Sequence, residues 1–360
     1  MPQETAIVKR KAAWTTPDDE FSLLPQSDPA QLSALDLDGD SDLKKAKIEQ
    51  VKARPWTLKP VLADEYLREV ETVPVYVASI TDRQKTSQIV KTLSITLPLG
   101  SLQHLKRVRT AGTGLEVIIS PCPERATGSS SSLADVLGRT GPEGISAHVK
   151  VVYVPKHTPL TRHQYERSNC IWPTQFHENK HIAKVLNDEL FQDDDKLELE
   201  SYMRLSVTAA KRVSTFDAVT IINPACRKPL VTAVRNNHHP LQHAVLMALD
   251  LLARLQGGGA WEVPDGCIVY DVSEEDQQVD GQAPYLCTGY DVYLTREPCL
   301  MCCMALVHSR IRRLFYGCRS PGGGAGSQHK LHVQRGLNHH FEVWEGVLEN
   351  ECDTLCVAHS

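Results

Sequence analysis

Three side chains define the chemistry this sequence can support: His243 and, later in the chain, the two cysteines of Pro298-Cys299-Leu300-Met301-Cys302. Cysteines three positions apart lie on one face of a helical turn, so both sulfurs can reach a single ion. Zn²⁺ binds soft thiolates and imidazole in a tetrahedron, and three protein ligands leave a fourth position for water or another donor. Pro298 suits a helix start, where free N–H groups and the positive end of the helix dipole favour thiolate over thiol. Taken singly, a C-x-x-C among eleven cysteines reads as two core thiols or a redox pair, and a histidine before an apolar helix reads as packed. Taken together, they point to Zn²⁺ held by His243, Cys299 and Cys302. Cys303 points about 100° away on a helix and reads as core.

The elements that must position these residues follow the order α-β-β-α-β-α-β from residue 196 onward. Leu197 to Arg212 has helical periodicity, and Ala218 to Ile222 and Leu230 to Val234 read as strands. Gln242 to Leu255 reads as the helix bearing His243, stopped by Gly257-Gly258-Gly259. A polar insertion at 260–284 reads as a surface excursion. The strand Tyr290 to Thr295 then delivers Cys299, and a helix to Ser309 precedes the strand Arg313 to Gly317.

Upstream, residues 1–60 read as a mostly disordered leader rich in Ser, Asp, Pro and Gln. Its cluster Lys44, Lys45, Lys47, Lys52 and Arg54 reads as a solvated run, with a nucleic-acid or import contact as the other option. Residues 61–175 read as an α+β accessory domain with strands at Val73 to Ala78, Leu115 to Ile119 and His148 to Val154. Helices at Arg83 to Leu97 and Ser131 to Gly138 alternate with them, and a ferredoxin-like arrangement is one option. Pro155 to Pro173 reads as a linker-like crossing and 176–195 as the linker itself. Lys106, Arg107 and Arg109 place three positive charges within four positions, and contact with RNA phosphate is expected there; ordinary solvated cations are the plainer alternative.

Composition bounds the function classes. A net charge of −5 means that affinity for nucleic acid must come from such local patches or from a partner. The odd number of cysteines, without a basic-then-apolar N-terminal signal, fits a reducing compartment, so nuclear and cytoplasmic residence is expected. No apolar run approaches the roughly 18 residues of a membrane span, and no membrane contact is expected.

The element order, His243, Pro298-Cys299-x-x-Cys302, His308-Ser309-Arg310-Ile311 and Gly336-Leu337-Asn338-His339-His340 together resemble the eukaryotic tRNA adenosine deaminases over the C-terminal half of the chain. Val245 and the added N-terminal domain make it similar to the non-catalytic subunits of the heterodimeric wobble-adenosine deaminases. These belong to the cytidine and deoxycytidylate deaminase-like superfamily. The resemblance implies a three-layer α/β/α cytidine-deaminase-like domain over 196–360, preceded by the α+β domain and the leader. It also implies a catalytic deaminase subunit as partner and tRNA as the second partner, with adenosine-to-inosine editing at wobble position 34.

One departure governs the functional reading. In zinc nucleobase deaminases a Glu two residues after the His moves the proton. General acid–base help of that kind is worth about 10²- to 10⁴-fold, and Val245 has no titratable atom. The one literal H-x-E, His340-Phe341-Glu342, follows the cysteines in a strand-like stretch and reads as coincidence. The expected function is therefore a non-catalytic, structural and tRNA-binding subunit, a pseudo-enzyme with a zinc site. The alternative is an active zinc-dependent nucleoside or nucleotide deaminase with an unusual general base. A metal-free scaffold is disfavoured because all three ligands are retained. With no water to activate, the fourth zinc position is expected to be closed by the tail, through His359 or the Ser360 carboxylate; a frayed terminus is the plainer option.

Overall fold

Strands in the described chain are β1 (Lys59–Pro60), β2 (Thr72–Ile80), β3 (Val108–Ala111), β4 (Gly114–Pro121), β5 (Ser131–Ser132), β6 (Ile145–Pro155), β7 (Ala218–Asn223), β8 (Lys228–Val234), β9 (Ile268–Val269), β10 (Asp291–Arg296), β11 (Arg313–Cys318) and β12 (Glu342–Glu345). The longer helices are α1 (Thr86–Thr96), α2 (Arg162–Ile171), α3 (Lys180–Leu186), α4 (Asp193–Arg212), α5 (Ala244–Leu255), α6 (Leu300–His308) and α7 (Glu349–Val357). The structure is a computed structural model that describes residues 55–122, 131–137, 142–279, 281 and 285–357. The leader to residue 54 with its basic cluster, and the tail donors His359 and Ser360, lie outside the described residues.

The first sheet is antiparallel in the order β3-β4-β2-β6-β5. Period-two alternation divides its apolar side chains between two faces. Ala78, Ile80, Val117 and Ile119 pack with Ile89 and Leu93 of α1, while Val75, Val77 and Ile118 pack with Leu99, Leu102, Leu105 and Trp172. The element order β2-α1-β3-β4, then a short helix at Leu133–Leu137, then β6, gives the split βαβ arrangement of ferredoxin-like domains.

The crossing expected at Pro155 to Pro173 is instead occupied by helix α2. Thr161 caps it by accepting from the Gln164 N–H at 3.3 Å, and the Gln164 side chain donates to the carbonyls of Glu65 and Arg68. Its buried residues, Gln164 and Ser168, are polar, so no apolar stripe marks the helix in the sequence.

The second sheet runs β1-β12-β11-β10-β7-β8-β9. Strands β10, β11 and β12 are parallel, and β7 pairs antiparallel with β10 and with β8. On one face, Ala244, Met247 and Leu251 of α5 and Leu306 of α6 cover Val219, Ile221, Val292 and Leu314. On the other, Leu199, Met203 and Val207 of α4 and Leu355 of α7 cover Ala218, Ile222, Tyr293 and Phe315. This is the expected three-layer α/β/α domain.

Three boundaries differ from the sequence reading. Helix α4 begins at Asp193, because Gln192 and Asp195 form a capping box before the first apolar position; with α3 it fills most of the expected linker. The stretch expected as a terminal tail is helical through Val357. The described part of the expected leader belongs to the second sheet: Trp56 and Leu58 are buried with Phe191 and Trp344, and β1 pairs with β12 through Lys59 opposite Glu345.

Candidate metal centre

Strands β10 and β11 finish, and β7 starts, at the same end of the sheet, and the loops there carry the chemistry. After β8, the Asn236 N–H donates to the Gln242 carbonyl at 3.0 Å, closing a turn that presents His243 as the N-cap of α5. Cys299 is the N-cap of α6, and Cys302 lies in its first turn. His243 is thus a cap rather than a helical residue, and two helix N-termini converge on the donors, which favours anionic sulfur.

Among the described residues, His243, Cys299 and Cys302 are the one group of three donors within 4.8 Å of one another. His243 Nδ1 lies 3.5 Å from Cys299 Sγ and 3.6 Å from Cys302 Sγ. A tetrahedral zinc with its ordinary Zn–S and Zn–N bond lengths requires an S···N separation of about 3.6 Å. The donors therefore fit that ion. Cys299 is pulled down to about 5, chiefly by its hydrogen bond from the Cys302 thiol and further by the Cys302 N–H and His243, while Cys302 itself is pushed up.

Val245 is 2% exposed and packs in the apolar cluster with Met247, Ala248 and Cys302. At the position on this helix where a proton carrier would stand, Val245 supplies no carboxylate. Glu342 of the literal H-x-E begins β12 and pairs with His181 at 2.8 Å, away from the cysteines.

Two acidic residues that sequence reading missed do bear on the site. Asp217, directly before β7, is near enough to feel the charges of His243, Arg235 and Cys299, and burial pushes its carboxyl up. Glu297 is 4% exposed and accepts from the N–H groups of Ser320, Ala325 and Ser327 and from the Ser327 hydroxyl. It thereby folds the glycine-rich loop 320–327 against the start of α6, where the Gly324 N–H also donates to the Pro298 carbonyl. The signal for Glu297 was its place directly before Pro298-Cys299; nothing in the sequence singled out Asp217.

Residues 73–172 match the family model of the tRNA-specific adenosine deaminase TAD3 N-terminal domain, and residues 197–318 match that of the cytidine and deoxycytidylate deaminase zinc-binding region. The chain is 40% identical over 324 residues to a Danio rerio protein named probable inactive tRNA-specific adenosine deaminase-like protein 3, across 84% of this chain and 94% of that one. It is 38% identical over 327 residues to the Homo sapiens protein of the same name, across 84% and 92%. The chain belongs to the TAD3 family. A Schizosaccharomyces pombe relative, named tRNA-specific adenosine deaminase subunit tad3, is 29% identical over 307 residues, across 81% of this chain and 89% of that one.

Within the segment matching the TAD3 N-terminal domain, the three cations expected at an RNA surface separate. Arg107 donates to the carbonyls of Leu97, Ile118 and Ile119 at 2.8, 3.1 and 3.0 Å, tying β4 to the loop after α1. Arg109 pairs with Glu116, donates to the Ile171 carbonyl and lies 4.1 Å over the Trp172 ring. Both guanidinium groups are engaged inside the domain, on carbonyls of β4, of the loop after α1 and of the last residue of α2. Lys106 alone of the three is exposed.

Proposed function

We propose that this chain is the non-catalytic subunit of a heterodimeric tRNA adenosine deaminase that converts adenosine 34 to inosine. It holds a structural zinc through His243, Cys299 and Cys302, and it works with a catalytic deaminase subunit that carries the complete H-x-E. The observation that carries this reading is the joint presence of a zinc-compatible donor triad and a buried Val245 in the position of the proton carrier. The names of the TAD3 relatives, a tRNA-specific deaminase subunit in one and probable inactive proteins in others, support it.

The partner surface is read from α6. Leu300 and Met304, one turn apart on that helix, are 40% and 53% exposed, and Leu241 before His243 is 52% exposed. These apolar side chains suit a protein interface. The segment 336–344 is a second stretch proposed for that surface; within it Phe341, Val343 and Trp344 are buried, so only its first half is open to a partner. Closure of the fourth zinc position by His359 or Ser360 remains part of the proposal, and so does residence in nucleus and cytoplasm. No helix among the described residues is long and apolar enough to cross a membrane.

The alternative, an active deaminase with an unusual base, would draw on Asp217, a carboxyl close enough to feel the charges of His243 and Cys299. One experiment separates the two: inosine at position 34 is measured for the partner-free chain and for the chain with a catalytic subunit. Inosine only with the catalytic subunit is expected. Inosine from the chain alone, lost in Asp217→Asn, overturns the reading.

A further inference from the structure

Apart from the metal donors, the fold brings a second pair of thiols together. Cys318 closes β11, Cys356 stands in the last turn of α7, and their Sγ atoms are 3.4 Å apart. The helix is seated there by close contact one turn earlier. Cys352 is fully buried, and a Cβ on Gly317 would lie 2.2 Å from its Sγ, so the glycine lets α7 approach the strand. Access is unequal: Cys318 is 1% exposed, whereas Cys356 is half-buried. A small solute thus reaches one sulfur of the pair before the other.

We propose that Cys318 and Cys356 form a peroxide-responsive dithiol, in which Cys356 reacts first and Cys318 resolves it to a disulfide that fastens the end of α7 to β11. The Cys356 thiolate attacks one oxygen of hydrogen peroxide; an S–O bond forms as the O–O bond breaks, and the departing hydroxide takes a proton to become water. Cys318 then loses its proton, and its sulfur displaces the hydroxyl from Cys356 Sγ as a second water. Two thiols and one peroxide become one disulfide and two waters. Electrostatics supports the order of attack: Cys356 is pulled down to about 7, first by its hydrogen bond with Cys318 and then by Arg296, while Cys318 is pushed up. In a reducing compartment the dithiol is the resting form.

The test exposes the reduced full chain to graded hydrogen peroxide, then denatures, alkylates and digests it for peptide mapping by mass. A linked Cys318–Cys356 peptide is expected at lower peroxide than any oxidation of the exposed Cys170, which serves as internal reference. Dithiothreitol should remove the link, and the oxidised chain should melt at a higher temperature than the reduced one. Cys356→Ser, a small change at a half-buried position, should abolish both the link and the rise and leave Cys318 open to alkylation. Conversion of Cys356 to sulfinic acid with Cys318 still alkylatable overturns the pairing, as does oxidation of Cys170 at the same dose. A linked peptide without the melting shift overturns the fastening of α7.

Discussion

The buried carboxylate of Glu297 and the backbone of Gly323 leave no room between them for a methyl group: a Cβ at position 323 would stand 2.0 Å from Glu297 Cδ. The loop after β11 is therefore moulded around a charge that sits two residues before Cys299. Gly323→Ala is expected to lower stability by about 1–3 kcal/mol through overpacking, read from the midpoint of urea unfolding. It should also reduce metal retention, because the displaced loop packs on the start of α6. Wild-type unfolding and metal content in the variant would contradict this account of the loop.

Plasma mass spectrometry of the purified chain should find about one zinc per molecule. Cys299→Ala or Cys302→Ala is expected to lose the metal and to lower the melting temperature, since ligands that close a structural site contribute to folding. Unchanged zinc and unchanged melting in both variants would remove zinc from these residues.

Restoring the missing carboxylate is expected to fail. Position 245 lies in the apolar layer between α5 and the sheet, where an uncompensated polar group costs on the order of 1–3 kcal/mol. Val245→Glu should melt lower than the parent and form no inosine in tRNA. A stable, active variant would mean that the pocket is still shaped for a base.

Arg107 and Lys106 should give opposite phenotypes although they are adjacent. Arg107→Ala leaves the carbonyls of Leu97, Ile118 and Ile119 without their donor, so a loss on the order of 2–4 kcal/mol in stability is expected. Lys106→Ala should leave stability alone and, if the domain carries tRNA, reduce the slope of log K against log salt by about one unit. Filter binding across a salt series, with unfolding curves for each variant, separates the two effects.

His332 predicts an acid sensitivity. It is 2% exposed, its Nε2 donates to the Val61 carbonyl at 2.9 Å, and burial pulls it down from 6.5 to about 4. The unfolded chain takes up this proton below about pH 6.5 and the folded chain only near pH 4. The stability present above pH 6.5 is thus lost as pH falls, by about 3 kcal/mol over that window. Unfolding measured from pH 7 to 4 should show a shallower acid loss for His332→Phe than for the parent. Parallel curves would assign the loss to carboxylates instead.

Periodicity made the deaminase-like half legible: alternating Val219 and Ile221 against Ala218 and Ile222 marked a strand buried on both faces, and the spacing of Cys299 and Cys302 marked a helix start. The βαβ order of the accessory domain was legible for the same reason. What escaped lacks an apolar period. Helix α2 turns Gln164 and Ser168 inward, and β1 is two residues long, so each is defined by partners far along the chain. At 106–109 charge counts in the sequence do not reveal that the guanidinium groups of Arg107 and Arg109 fold back onto carbonyls. Asp217 gave no signal at all, since its relation to His243 exists only once β7 and β8 lie side by side.

Strand β1 gives the accessory domain two points of attachment. The chain leaves the edge of the second sheet at Pro60, builds the five-stranded domain, and returns through α2 and α3 to α4 on that same sheet. Topologically the domain is an insertion, not an appendage. A module moored at both ends swings less than one on a single tether, so any RNA it carries would be held at a nearly constant reach from the metal layer. Cutting the chain near residue 175 would not free an intact deaminase-like domain; it would strip Trp56 and Leu58 from the core and leave β12 as a bare edge.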